Sequence, residues 1–274
     1  MLVQRLLTAA VGIPVIVGLI LLGGPAYDIV VAAILAIAAL ELCAMWRAEE
    51  AHNRPLWAVR SVELVAPLST VLMVVAMVTA DEGNDFTASA AGFVVVLLVA
   101  AMIRGKLAFR SADSLGVAAL AMIYVGYLGA HFVPLRNLDG DGKWVFLAIL
   151  GTWATDTFAY AIGRLIGRRK IAPTISPGKT LEGTAAGLLG GWASVIVIAE
   201  VLDLPMSLGE AALLGTILPA AAVLGDLVES FIKRSAGVKD TSELVPGHGG
   251  FLDRLDSLLF TVPLVYYFAI WVVF

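Results

Sequence analysis

Apolar residues in this chain fall in long runs, and the polar residues are gathered between them. Bounded by charge or by Pro and Gly, the runs predict nine helices, near 6–22, 27–46, 62–80, 86–103, 114–135, 144–162, 184–202, 208–229 and 256–274. Each is close to the roughly 20 residues that cross a bilayer core. The first run follows Arg5, as the apolar stretch of a signal peptide would. It is long, however, and another run follows directly after Gly23-Gly24-Pro25, so the pair reads as a retained helical hairpin. The expected fold is all-α: a polytopic integral membrane protein in which 1–274 form one embedded domain. Helices within 1–143 would support those of 144–274, where the polar connections are longest.

Composition narrows the reading. Of 274 residues, 60% are hydrophobic and 15% charged, against about 25% charged in soluble domains. A soluble globular enzyme and a disordered chain are both excluded, and a net charge of −4 offers no footprint for nucleic acid. The one cysteine, Cys43, allows neither an internal disulfide nor a cysteine-based zinc cluster. Sixteen of the 18 Lys and Arg residues fall on one side of the nine spans; Arg136 and Lys143 fall on the other, with acids such as Asp81, Asp139 and Asp203. Basic loops stay inside, which places the N-terminus in the cytoplasm and the C-terminus outside, on the periplasmic face. The expected location is the cytoplasmic membrane, with the chemistry facing the cytoplasm.

A lone carboxylate in hydrocarbon costs about 2.5–3.5 kcal/mol or more, so acids inside spans need partners. Asp156 lies within the sixth run. Asp226, Glu229, Ser230 and Lys233 form one stripe on the eighth, at i, i+3, i+4 and i+7. Glu41, Glu63, Glu200 and Glu210, near helix ends, read as interhelical pairs or snorkelling groups. After Asp226 come Lys233, Arg234, Lys239 and Asp240, then Pro246-Gly-His248-Gly249-Gly250 and Asp253-Arg254-Leu-Asp256. Asp253 and Asp256 could cap the last helix, or Asp253 could join Asp226 as a hard oxygen ligand of Mg²⁺. The glycines would admit backbone N–H groups to phosphate oxygens, with Lys233, Arg234, Lys239 and Arg254 offsetting phosphate charge. His248 suits loop shaping, phosphate contact or proton transfer equally, and with His52 and His131 far away in sequence it implies no zinc site.

The other polar connection runs from Gly163 to Gly183. Its Gly178-Lys179-Thr180 resembles the tail of a phosphate-binding P-loop, but Pro173 stands where that loop needs glycine, and no strand precedes it. Ser176-Pro177 with Glu182 beyond predicts a turn entering a helix, suited to an anion. Arg168, Arg169 and Lys170 read as headgroup anchors. Gly183, Gly187 and Gly191 recur every fourth residue, which serves close helix packing in a dimer or within one subunit.

The stretch Ser230-x-x-Lys233-Arg234-x(4)-Lys239-Asp240-x(5)-Pro246-x-His248-Gly249-Gly250-x-x-Asp253-Arg254-x-Asp256 closely resembles the signature of the phosphatidate cytidylyltransferases (CDP-diacylglycerol synthases). Ile175–Gly183 and Asp156-x-x-Ala-Tyr160 also look like that family, and the strong likeness covers 150–257. The resemblance implies a membrane enzyme that makes CDP-diacylglycerol and pyrophosphate from CTP and phosphatidate. It also implies Mg²⁺ dependence, K⁺ as a second cation and a homodimer. The site expected on these grounds has Asp226, Asp253 and Asp256 on the metal and Lys233 and Arg254 beside them as catalytic groups. Asp156, Ser176, Lys179, Thr180, Glu182, Ser230, Arg234, Lys239, Asp240, His248, Gly249 and Gly250 would hold substrate. Two other readings are open: the same chemistry on an ether-lipid or polyprenyl phosphate, and a cation- or proton-coupled transporter relaying through Asp156, Asp226 and Glu229. The missing inverted repeat and the charge-dense loops weigh against transport.

Overall fold

The computed structural model describes residues 2–46, 56–79, 112–242, 244 and 249–274, with side chains from residues 10, 66 and 116 onward in the first three segments. The predicted span at 86–103 and the basic residues Arg47, Arg54, Arg104, Lys106 and Arg110 lie outside the described residues. The helices are α1 (Leu2–Leu22), α2 (Gly24–Met45), α3 (Leu56–Thr79), α4 (Ala112–Leu120), α5 (Leu128–Ala130), α6 (Phe132–Asn137), α7 (Lys143–Ile166), α8 (Leu181–Val201), α9 (Leu208–Ser235), α10 (Leu252–Leu255) and α11 (Leu258–Phe268). Among the described residues six helical segments are long and apolar enough to cross a membrane, and Ala10–Leu22 and Ala66–Thr79 are shorter apolar helices.

The chain divides into two units: Met1–Pro134 with Ala236–Asp253, and Leu135–Ser235 with Arg254–Phe274. In the first, α1 and α2 form the expected hairpin. Gly23 and Gly24 turn the chain at φ 60° and 59°, values that side chains bearing a Cβ rarely adopt, and Pro25 pre-sets the opening turn of α2. α2 buries Leu35, Ala38, Ala39 and Leu42 against α3 and a π-helical stretch, Ala121–Tyr127, that joins α4 to α5. The Tyr27 hydroxyl donates to the Phe132 carbonyl at 3.2 Å.

The second unit is built around α7, α8, α9 and α11. Its core holds Trp144 and Leu147 of α7, Val195 of α8, Leu214 and Leu218 of α9, and Leu259 of α11. The glycine stripe of α8 packs inside this unit: a Cβ at Gly183 would stand 2.6 Å from the Ala159 carbonyl oxygen and 2.8 Å from Gly163 Cα. At Gly187 it would stand 2.9 Å from the Thr155 carbonyl oxygen, and at Gly191 2.8 Å from Pro219 Cγ. The repeat thus serves the fold of one subunit, letting three backbones approach. Large apolar side chains on the other faces, including Leu189, Val201 and Trp271, are exposed, as suits a lipid-facing surface.

Two expectations need correcting. The chain is mostly helical, as expected, but the 163–183 connection is not a plain turn: Lys170–Ala172 (β1) and Ser176–Thr180 (β2) pair antiparallel, with Lys170 opposite Thr180 and Ala172 opposite Ser176. Ser176-Pro177 therefore lies in a strand, and the helix begins five residues later, where Thr180 Oγ1 accepts from the Gly183 N–H at 3.1 Å as its N-cap. The last predicted span starts at Leu252 rather than 256 and breaks at Asp256-Ser257 before continuing as α11.

Candidate active site

The second unit gathers most of the predicted site where α9 meets the segment between α10 and α11. Gly225 sets the approach: a Cβ there would lie 2.8 Å from the Asp256 carbonyl oxygen and 3.0 Å from Ser257 Cα. With no side chain in the way, Asp226 and Asp256 come close enough to act on each other electrostatically, within range of Lys233 and Arg254. Asp156, from α7, feels both acids together with Lys179 and Arg254. Three carboxylates from separate stretches of chain thus share one locality with three cations.

Lys179, at the end of β2, closes the group. Its Nζ lies 2.8 Å from Asp226 Oδ2 and donates to the Val223 carbonyl at 3.3 Å. The 163–183 connection therefore meets α9 in one ion pair, which is why the hairpin matters. Ser230 Oγ donates to Asp226 Oδ1 at 3.3 Å, and Lys233 pairs with Glu229 at 3.2 Å, so the expected stripe on α9 is laced along the helix. Arg234 Nε reaches the Ile175 carbonyl at 3.3 Å, tying α9 to the hairpin tip. Lys239, Asp240 and Arg254 are exposed.

Some predicted residues have structural work instead. Glu182 accepts from the backbone N–H groups of Arg168, at 3.0 Å, and Arg169, at 3.2 Å. It anchors the start of the hairpin, and Thr180 is committed to the helix cap. Glu210 is no snorkelling group: it accepts from the Ser207 N–H at 2.6 Å while its own N–H donates to Ser207 Oγ at 3.3 Å, a reciprocal cap at the start of α9.

Asp253 belongs to the first unit, where it is buried. Its Oδ2 accepts from the Thr241 N–H at 3.0 Å, Thr241 Oγ1 at 2.9 Å and the Gly250 N–H at 2.8 Å. Gly249, at φ 81°, would place a Cβ 2.6 Å from that same oxygen. At Gly250 a Cβ would run into Thr241 Oγ1 and lie 2.6 Å from both oxygens of Glu41. The two glycines are thus needed by carboxylates of the protein itself, and the Gly250 N–H points at Asp253 rather than outward to a phosphate. His248 lies outside the described residues.

Sequence reasoning passed over Glu41, which was expected near a helix end. It does lie near the end of α2, but it is buried rather than snorkelling, and it accepts from Ser242 Oγ at 2.6 Å, Thr241 Oγ1 at 3.4 Å, the Phe251 N–H at 3.1 Å and the Leu252 N–H at 2.8 Å. The cost argument applied to Asp156 was the available signal, since Glu41 also interrupts an apolar run.

Among the described residues no three His, Cys, Asp or Glu side chains form a ready-made metal cage. That arrangement does not count against Mg²⁺, which takes one or two carboxylates and completes its shell with water and substrate phosphates. Asp226 and Asp256, hard oxygen donors with cations around them, fit such an ion. The chemistry available is charge neutralisation and positioning of phosphate groups.

Comparison with known proteins agrees in kind. Phosphatidate cytidylyltransferase of Bacillus subtilis is 40% identical over 176 residues, which are 64% of this chain and 65% of that protein. The alignment thus spans a little under two thirds of that relative. Phosphatidate cytidylyltransferase of Synechocystis sp. is 32% identical over 294 aligned positions, 97% of this chain and 96% of the relative. Phosphatidate cytidylyltransferase 5, chloroplastic, of Arabidopsis thaliana is 33% identical over 296 positions, 97% of this chain and 71% of the relative. Since the profile of the cytidylyltransferase family also matches residues 3–272, almost the whole sequence, the chain belongs to that family.

Proposed function

We infer that the protein transfers a cytidylyl group from CTP to phosphatidate, releasing pyrophosphate and leaving CDP-diacylglycerol in the bilayer. The observation that carries this reading is the ion pair of Lys179 with Asp226 beside Asp256, a phosphate-handling site in a family whose relatives bear that name. An oxygen of the phosphatidate phosphate attacks the α-phosphorus of CTP. A new P–O bond forms as the bond to the β-phosphate oxygen breaks. The attacking phosphate is already ionised near neutral pH, so no general base is required and the protein supplies position and charge.

Asp226 and Asp256 would hold Mg²⁺, which supplies neutralisation of triphosphate charge when bound. Asp253, expected from sequence to share the metal with Asp226, has its Oδ2 engaged by Thr241 and Gly250, and Asp253→Asn tests its place at the ion. Lys179 is poised to exchange Asp226 for a phosphate oxygen. Lys233, Arg234, Lys239 and Arg254 offset the remaining charge, and Asp156, on α7, orients a base or a cation. Ser230 steadies Asp226, while Ser176, Asp240, His248 and the Gly249–Gly250 turn are candidates for substrate contact. A monovalent cation such as K⁺ is proposed as a second ion.

The wider frame follows the charge distribution. We place nine spans in the cytoplasmic membrane, with the N-terminus and the site facing the cytoplasm and the C-terminus outside. The enzyme works as one embedded domain, its chemistry in 144–274, and as a homodimer.

The test is direct. Purified protein with labelled CTP and phosphatidate, with Mg²⁺ and then with chelator, is expected to yield a labelled lipid only in the first case. No lipid product under either condition would reject the reading. Ether-lipid and polyprenyl phosphates run in parallel fix the acceptor, since the same site chemistry suits any lipid phosphate monoester.

A further inference from the structure

We propose that Glu41 is a positioning residue of the reaction: from near the C-terminal end of α2 it holds Thr241–Ser242 and Phe251–Leu252, the two stretches that lead into Asp253 and Arg254. The inference rests on the cytidylyl-transfer reading and deepens it.

Four donors converge on the Glu41 carboxylate. Two are hydroxyls, Thr241 Oγ1 and Ser242 Oγ, at the start of the loop. Two are the backbone N–H groups of Phe251 and Leu252, at its end and at the opening of α10. One carboxylate therefore closes both ends of the loop, from a helix 200 positions earlier in the chain. Asp253 does the complementary task from the other side, taking the Thr241 and Gly250 N–H groups. Thr241 Oγ1 sits 2.9 Å from Asp253 Oδ2 and 3.4 Å from Glu41 Oε2, so its single proton serves two carboxylates. The Gly249–Gly250 turn is shaped to the same pair, since a Cβ on either residue would strike one of them.

A passive interhelical contact would not need this arrangement. An acid within an apolar helix is costly, and its partners here are not a neighbouring cation but the loop itself. Because an ionised carboxylate accepts only, it suits four donors. An amide of the same shape has one accepting oxygen and turns an NH₂ toward donors. Glu41→Gln therefore keeps the volume while spoiling half of the contacts, and it should leave the helices intact, whereas Glu41→Ala removes all four.

The experiment compares wild type with Glu41→Gln and Glu41→Asp in purified full-length enzyme. It measures CDP-diacylglycerol formation at varied CTP, thermal stability, and amide hydrogen exchange at Thr241, Gly250, Phe251 and Leu252. The expected result for Glu41→Gln is faster exchange at those amides and a kcat lower by about 10- to 100-fold, the usual effect of removing an outer-shell partner. Glu41→Asp, which keeps the charge, should recover part of both. Unchanged kcat in a protein with loosened exchange would overturn the proposal, as would unchanged exchange. A fall in thermal stability alone, with kcat per folded enzyme at the wild-type value, would also overturn it. If wild type itself makes no CDP-diacylglycerol, the functional reading fails instead, and the exchange measurements still report on the loop.

Discussion

Asp226 and Lys179 form an ion pair, but both side chains are partly open to solvent, at 29% and 19%. A pair of that kind adds about 0–1 kcal/mol to stability, so its role belongs to chemistry rather than to folding. Asp226→Asn should accordingly leave folding and membrane insertion intact while lowering turnover by about 100-fold or more, read as lipid product per folded enzyme. Near-normal turnover would remove Asp226 from the metal. Lys179→Ala should mainly raise the KM for CTP, since it deletes a cation and leaves the carboxylates; a titration in which only kcat falls would contradict that. Asp253 separates from both. It holds the loop through three hydrogen bonds at one oxygen, so Asp253→Asn should lower thermal stability as well as activity, whereas Asp226→Asn should lower activity alone.

Helices α7 and α8 touch along glycines, and their spacing is set by main-chain contact. Gly187→Leu should force the two apart and cost about 1–3 kcal/mol, measured as a lower midpoint of thermal unfolding in detergent. Thr180→Ala removes the cap of α8 and should cost about 1 kcal/mol. These elements differ in how plainly the sequence announces them. Long apolar runs predicted the hairpin of α1 and α2, and α7, α8 and α9, because a stretch of 20 apolar residues has few alternatives. The β1–β2 hairpin was hidden: Lys170–Thr180 shows no alternation, and its stability comes from Glu182 and from Lys179 reaching α9. The stripe on α9 was legible because its partners are four residues apart. Glu41 was not, because its partners are found only once the chain has folded back. The glycine pair was legible as a site needing room, but the carboxylates that occupy the room could be seen only in three dimensions.

For the molecule as a whole, the proposed orientation makes a prediction that no single residue carries. Reconstituted into sealed vesicles, the enzyme should use CTP supplied to the face that exposes the 163–183 and 230–255 connections, and ignore CTP on the other. Product from both sides at equal rate in uniformly oriented vesicles would contradict that topology. Chelation of divalent ions should stop the reaction reversibly, with activity restored by Mg²⁺.

The span between Glu41 and its donors has a temporal side. At about 5–20 residues per second, a ribosome needs roughly 10–40 s to travel from Glu41 to Leu252, 211 positions later. Throughout that interval the second helix enters the bilayer bearing an acid whose natural company has not yet been synthesised. Nascent chains arrested before Thr241 should therefore hold that helix poorly and secure it only once Thr241–Leu252 has emerged, so that a late loop certifies the placement of an early helix.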